Sequence, residues 1–140
     1  MSPAMRYFTI SSLLYFVLGA LLGFIMAVYP PSVNYLLLTH VHFLLLGFIA
    51  MMIYSVGYHV LPRFSGFKLY SNQLIIIQFY LANIGLLGMA LIWIISSDNP
   101  SYSLMTLLFF SIFAFLEFAA IFIFVFNNIM TLLGKAGRIM

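Results

Sequence analysis

Hydrophobic positions fall into four long runs, Tyr7–Tyr29, Val33–Leu61, Gln73–Ile95 and Tyr102–Met130, divided by short segments that collect prolines, serines and basic residues. Each run approaches or exceeds the ~20 residues that a helix needs to cross a bilayer. A helix also satisfies its own backbone hydrogen bonds, which hydrocarbon cannot do for it, so each run is predicted as a transmembrane helix. Prolines mark the breaks. Tyr29-Pro30-Pro31 closes the first span, Leu61-Pro62 ends the second and Asn99-Pro100 lies in the turn before the fourth. Proline lacks the amide that a helix requires and drives the preceding residue out of helical geometry. Short connections make consecutive helices antiparallel neighbours. The pattern therefore predicts an all-α membrane protein: one four-transmembrane-helix bundle, with residues 1–140 as a single domain. No linker, low-complexity tract or internal repeat interrupts it. The first run is too long and too rich in Tyr and Gly to be read as a cleavable signal peptide.

Composition agrees with the pattern. Hydrophobic residues make up 66% of the chain and charged residues 5%, with a mean hydropathy of +1.21; such a chain has too little polar surface for a soluble exterior. The charges carry topology instead. Arg6 precedes span one, Arg63 and Lys68 lie between spans two and three, and Lys135 and Arg138 follow span four, so every basic residue shares one side. The opposite connections hold no Lys or Arg and contain Asp98. By the positive-inside rule both termini are expected in the cytoplasm, and the protein in the cell inner (plasma) membrane as a multi-pass chain. The formal charge of +3 thus reads as orientation and not as a nucleic-acid surface. Tyr29, Tyr35, Tyr70 and Tyr102 fall near the span ends, as an interfacial aromatic belt would. Gly19 and Gly23 form a Gly-xxx-Gly pair that lets another helix approach span one closely. Absence of cysteine excludes disulfides, thiolate metal sites and heme attachment through Cys-x-x-Cys-His.

The three histidines all fall between Thr39 and Gly66, in THVHFLLLGFIAMMIYSVGYHVLPRFSG. Ionisable side chains inside a span are costly and mark candidate functional sites. With a helix start at Val33, His40 and His42 lie on the order of 10 to 14 Å down span two, inside the hydrocarbon. Two residues apart on a helix they point ~200° apart, so they face opposite sides and cannot bind one iron together. They can serve two sites, or one can ligate while the other forms a hydrogen bond. The simpler reading is that both are neutral histidines bonded to neighbouring helices. His59, ~28 Å further along, cannot share a metal with His40.

Glu117, in FAFLEFAAIF, is the acid that falls within a span. Its apolar neighbours disfavour the charged carboxylate, which suits either a proton carrier or a neutral acid bonding a neighbouring helix. Asn83 and Gln78 on span three are open to the same two readings, with helix-packing contacts favoured for both and a place near a ligand or on a proton path as the alternative for Asn83, as for His59. Copper or zinc held directly by the histidine pair is disfavoured, since no carboxylate or thiolate stands nearby.

Thr39–Gly66 resembles the tenth transmembrane helix of subunit I of the heme-copper oxidase superfamily, which includes cytochrome c oxidases and nitric oxide reductases. The residues that carry the likeness are His40, His42, Gly47, Met51, Met52, Tyr58, His59, Pro62, Arg63, Phe64, Ser65 and Gly66. The segment FVFNNIMTL, Phe124–Leu132, is similar to the end of that family's last helix, so the four spans resemble its final four helices. The resemblance implies that His40 matches the axial ligand of a high-spin heme and His42 that of a low-spin heme. It places His59 at a position that is not an iron ligand, interfacial or near the ligand shell.

The departures are equally informative. The family holds a catalytic copper and a further heme ligand with histidines on other helices, and this chain has none left for those places. A complete oxidase or reductase is therefore not expected from this chain alone. The expectation is a heme b protein ligated through His42, His40 or both, working in electron transfer or in binding O2 or NO. The alternative is a heme-delivery or assembly subunit of a larger respiratory oxidase or reductase. Partners are expected to be the lipid bilayer, a second copy of the chain and respiratory oxidase subunits or a redox carrier. Homo-oligomerisation as a dimer would let one histidine from each copy bracket a shared heme; a trimer is the competing arrangement.

Overall fold

The computed structural model describes residues 3–96 and 103–138. Asp98, Asn99-Pro100 and Tyr102 lie outside the described residues. Within them the chain is helical: α1 (Pro3–Val28), a 3₁₀ turn (Pro30–Ser32), α2 (Val33–His42), a π-helical segment (Phe43–Ala50), α3 (Met51–Ser65), α4 (Asn72–Ser96) and α5 (Leu104–Leu132). The stretch from Pro30 to Ser65 is one continuous rod, so four helices are long and apolar enough to cross a membrane.

Prolines act differently at the two ends of this rod. Pro30 and Pro31 stop α1 at Val28 and open the next helix through the 3₁₀ turn, with Ser32 Oγ donating to the Tyr29 carbonyl at 2.7 Å. Pro62, expected to end span two, is instead inside α3, which runs on to Ser65 and stops at Gly66. A proline one turn from a helix end removes only a hydrogen bond near the fraying terminus. Gly66 supplies the stop with φ of 72°, a left-handed conformation that glycine adopts without steric cost.

The π segment has a sequence cause. Thr39, Phe43, Gly47 and Met51 are all buried, at three successive steps of four residues. In an unbroken α-helix those steps would drift by about 120°. The wider π turn absorbs the drift and keeps the four residues on one face. Gly47 sits there because the Tyr15 ring of α1 occupies the space beside it, a Cβ at Gly47 falling 2.5 Å from Tyr15 Cγ.

Helices α4 and α5 form a closely packed antiparallel hairpin. The Pro30–Ser65 rod crosses its face obliquely, α2 against α4 and α3 against α5, while α1 lies along the rod and touches α4. Gly85 explains the closeness of the hairpin. A Cβ there would lie 2.9 Å from the Phe113 carbonyl oxygen and 3.0 Å from the Glu117 amide nitrogen. Backbone cannot swing aside as a side chain can, so Gly85→Ala is expected to destabilise the bundle by about 1–3 kcal/mol. Thermal unfolding in detergent measures it, and an unchanged midpoint would show the hairpin to be looser than described.

One end of the bundle gathers Arg6, Arg63, Lys68, Lys135 and Arg138. The α3–α4 connection closes this basic end by pairing with the chain after α5. Lys68 N donates to Gly137 O at 2.8 Å, Tyr70 N to Thr131 Oγ1 at 3.0 Å, and Asn127 bonds both the amide and the carbonyl of Ser71.

Candidate functional site

The three imidazoles are presented in two ways, and their hydrogen bonds fix the tautomers. His42 Nδ1 lies 2.8 Å from the Leu38 carbonyl one turn back on its own helix. His40 Nδ1 lies 2.8 Å from the Gly19 carbonyl of α1. A carbonyl oxygen only accepts, so in both rings the proton is on Nδ1 and Nε2 keeps its lone pair. Neither Nε2 has a hydrogen-bond partner among the described residues. Neutral imidazole oriented through Nδ1–H to a carbonyl, with Nε2 bare, is the form in which histidine ligates a metal. His59 is the reverse case. Arg63 Nη1 donates to His59 Nε2 at 2.6 Å, so that lone pair is already used, at the basic end.

The helix turns the pair to opposite sides. His40 enters the groove of α1, its ring resting on Gly23, where a Cβ would lie 3.0 Å from His40 Cε1. The Gly-xxx-Gly pair therefore has two tasks. Gly19 admits Leu44, offering its carbonyl to His40, and Gly23 leaves room for the ring. His42 faces α4 and α5. It lines a cleft of about 320 Å³ with Leu38, Ile92, Trp93, Ser96, Thr106, Leu107 and Phe110. At the inner edge of this cleft lie Thr39, Met89 and Ala90. Thr39 is 2% exposed and its Oγ1 has no partner among the described residues.

The site thus joins a fixed neutral imidazole to apolar and aromatic walls, with Ser96 and Thr106 as the hydroxyl side chains of its lining. The volume is at the low end of the ~300–1,000 Å³ usual for ligand sites. Among the described residues no group of three or more His, Cys, Asp or Glu side chains could hold a bare metal ion.

Glu117 is brought to a different place. It is 3% exposed, midway along α5, and neither carboxyl oxygen has a hydrogen-bond partner among the described residues. Its Oε2 faces Gly85 of α4, and Tyr15 of α1 and Tyr54 of α3 are close enough to interact with its charge. Asn83 is fully engaged, accepting from Tyr15 Oη at 3.0 Å and donating to the Phe79 carbonyl at 2.8 Å. It ties α1 to α4 as a packing contact. Gln78 does the same for α3 and α4, accepting from Tyr58 Oη.

Sequence reasoning singled out the histidines and the buried acid. It missed Thr39, Trp93 and Phe110 around His42, and the tyrosines around Glu117. Trp93 is the lone tryptophan of the chain, the one cue that pointed to its neighbourhood. Comparison of the chain with protein-family models, with curated proteins and with solved structures found no match. The likeness to heme-copper oxidase subunit I therefore rests on the residues of Thr39–Gly66 and Phe124–Leu132.

Proposed function

We propose that this chain is a membrane-spanning b-type heme protein in which His42 is an axial ligand, serving electron transfer or the binding of a gas such as O2 or NO. The observation that carries the reading is the bare Nε2 of His42 beside an apolar cleft, its ring locked by the bond from Nδ1 to Leu38. Heme bound there would supply one-electron cycling between Fe(III) and Fe(II), its potential set by the axial imidazole and the low-dielectric surround. Trp93, Leu107 and Phe110 give the cleft its apolar and aromatic walls, and Thr39 lies buried close to His42. His40, on the α1 side, is a second imidazole that would be available to hold a separate heme. In this reading a second copy of the chain would supply a further imidazole at the His42 site, and a redox carrier or respiratory oxidase subunit would exchange the electron.

The test is an optical spectrum of the purified protein, oxidised, reduced and treated with carbon monoxide, with heme extracted and typed. Non-covalent heme b with a reversible Fe(III)/Fe(II) spectrum is expected. Protein that carries no heme and takes up none when hemin is added would overturn the reading. Heme that is present but readily lost to an acceptor would favour delivery to another protein.

The basic end belongs on the cytoplasmic side of an inner (plasma) membrane in this reading, by the positive-inside rule. Because the chain has no cysteine, single cysteines report sidedness cleanly. Phe64→Cys, at a highly exposed position of the basic end, is expected to resist an impermeant thiol reagent in intact cells. Asn34→Cys, at the opposite end, is expected to react. The reverse pattern would invert the topology, and equal labelling would remove the membrane-spanning reading.

A further inference from the structure

Buried polar groups are distributed unevenly about Glu117. Toward the basic end, α3, α4 and α5 enclose Tyr54, Tyr58, Gln78, Asn127 and Asn128, all within 5% of full burial. Tyr58 donates to Gln78, and Asn127 stands within hydrogen-bonding reach of Tyr58 and bonds the Ser71 backbone at the bundle end. Three of these groups are incompletely satisfied: Glu117 at both oxygens, Gln78 at Nε2 and Asn128 at Oδ1. An unpaired buried polar atom costs on the order of 1–3 kcal/mol, and buried water ordinarily supplies the missing bonds. In the other direction the first layer of packing is apolar. Leu86 is fully buried and Phe113 fills the space beside Gly88, separating Glu117 from the His42 cleft.

Axial spacing turns this asymmetry into a route. Asn128 is eleven residues along α5 from Glu117, or ~16 Å, and Gln78 is seven residues along α4 from Gly85, or ~10 Å. Tyr54 occupies the interval, one turn above Tyr58 on α3. Ala82 of α4 and Ala120 of α5, both fully buried, fall at intermediate positions along their helices. Among the described residues the titratable groups near Glu117 are Tyr15 from α1 and Tyr54 from α3; α4 presents Gly85, and no cation pairs with the carboxyl.

We propose that Glu117 is a proton-binding site midway through the membrane, loaded and emptied from the basic end alone through Tyr54, Tyr58, Gln78 and Asn128. A proton from water at that end converts the carboxylate to the carboxylic acid, and release returns it by the same route. A buried carboxyl with no cationic partner holds charge at high cost, so a proton is the ligand that its chemistry selects. The proposal rests on the membrane-spanning reading and is independent of heme.

Infrared spectroscopy of the full-length protein in lipid vesicles tests it, through the C=O stretch of a protonated carboxylic acid. The chain has two acidic side chains, so the band that Glu117→Gln removes is assigned without ambiguity. Vesicle orientation is fixed beforehand by labelling Phe64→Cys. In wild-type protein the band should respond to a pH jump applied at the basic end and not to one at the opposite end. Gln78→Leu and Asn128→Leu should slow that response by about tenfold, whereas Asn83→Leu, which breaks the Tyr15 contact, should not. A band indifferent to pH, equal response from both ends, or unslowed response in both leucine variants would overturn the proposal. The sidedness of the response does not depend on the folding of the leucine variants. Failure of the membrane-spanning reading itself would show separately, as equal labelling of Phe64→Cys and Asn34→Cys.

Discussion

His42→Ala is expected to purify without heme, while His40→Ala keeps heme in the α4–α5 cleft. The difference follows from what each ring faces. His42 lines the cleft, whereas His40 is turned into the α1 groove against Gly23. Loss of an outer-shell partner alone typically weakens metal binding by about 10–100-fold, so loss of the ligand itself should exceed that. The readout is heme per chain from extraction, together with the optical spectrum. A merely structural role for His42 is excluded by two further variants. His42→Met should retain iron with a more oxidising potential, because thioether ligation raises it. His42→Gly should regain heme when imidazole is added to the buffer. Unchanged heme content in His42→Ala would remove the proposed ligand, and loss in His40→Ala alone would move the iron to the α1 side.

The wild-type protein is expected to behave in detergent as a dimer carrying one six-coordinate heme between two chains at the His42 site. A six-coordinate iron needs two axial ligands on opposite faces, and His42 is the one histidine beside this cleft. In the proposed dimer a twofold axis would present the same patch from each copy, and the second imidazole would come from the other copy's His42. Mass measurement with heme quantification decides the matter, and His42→Ala should then dissociate the dimer as well as empty it. A monomer with one tightly held six-coordinate heme per chain would overturn the shared-ligand arrangement and direct attention to Met89. Its side chain lies at the inner edge of the cleft with His42. In that event Met89→Leu, which keeps volume and removes the sulfur, would convert the heme to five-coordinate.

Element placement was legible in the apolar runs because crossing a bilayer demands about 20 apolar residues and internal hydrogen bonding, a strong and local constraint. Pro30 and Pro31 marked the first break correctly, since they interrupt the chain between two long helices. Pro62 did not mark the second. Its cost depends on how many helical bonds lie beyond it, and Gly66 sets that number. Helix faces after Phe43 were legible least well. The π segment shifts the register of every later residue, so the side of span two that carries Tyr54, Tyr58 and His59 does not follow from a 3.6-residue period counted from His42.

Spacing two residues apart put His40 and His42 on opposite sides of one helix, and the structure shows them against α1 and against α4 and α5. That is rotation about a single axis, which the chain specifies locally. What stands across from each ring is a different kind of fact. Gly23 beneath His40, Trp93 and Phe110 around His42, and Gly85 opposite Glu117 come from helices far apart in sequence. Residue order determined four apolar helices, their alternation, the gathering of basic residues at one end and the opposed directions of the histidines, because each depends on the chemistry of one segment. The seating of His40 on the Gly19 carbonyl, the cleft at His42 and the one-sided polar surround of Glu117 were decided by tertiary structure. They depend on which carbonyl, ring or glycine a neighbouring helix brings within a few ångströms, and no single segment contains that information.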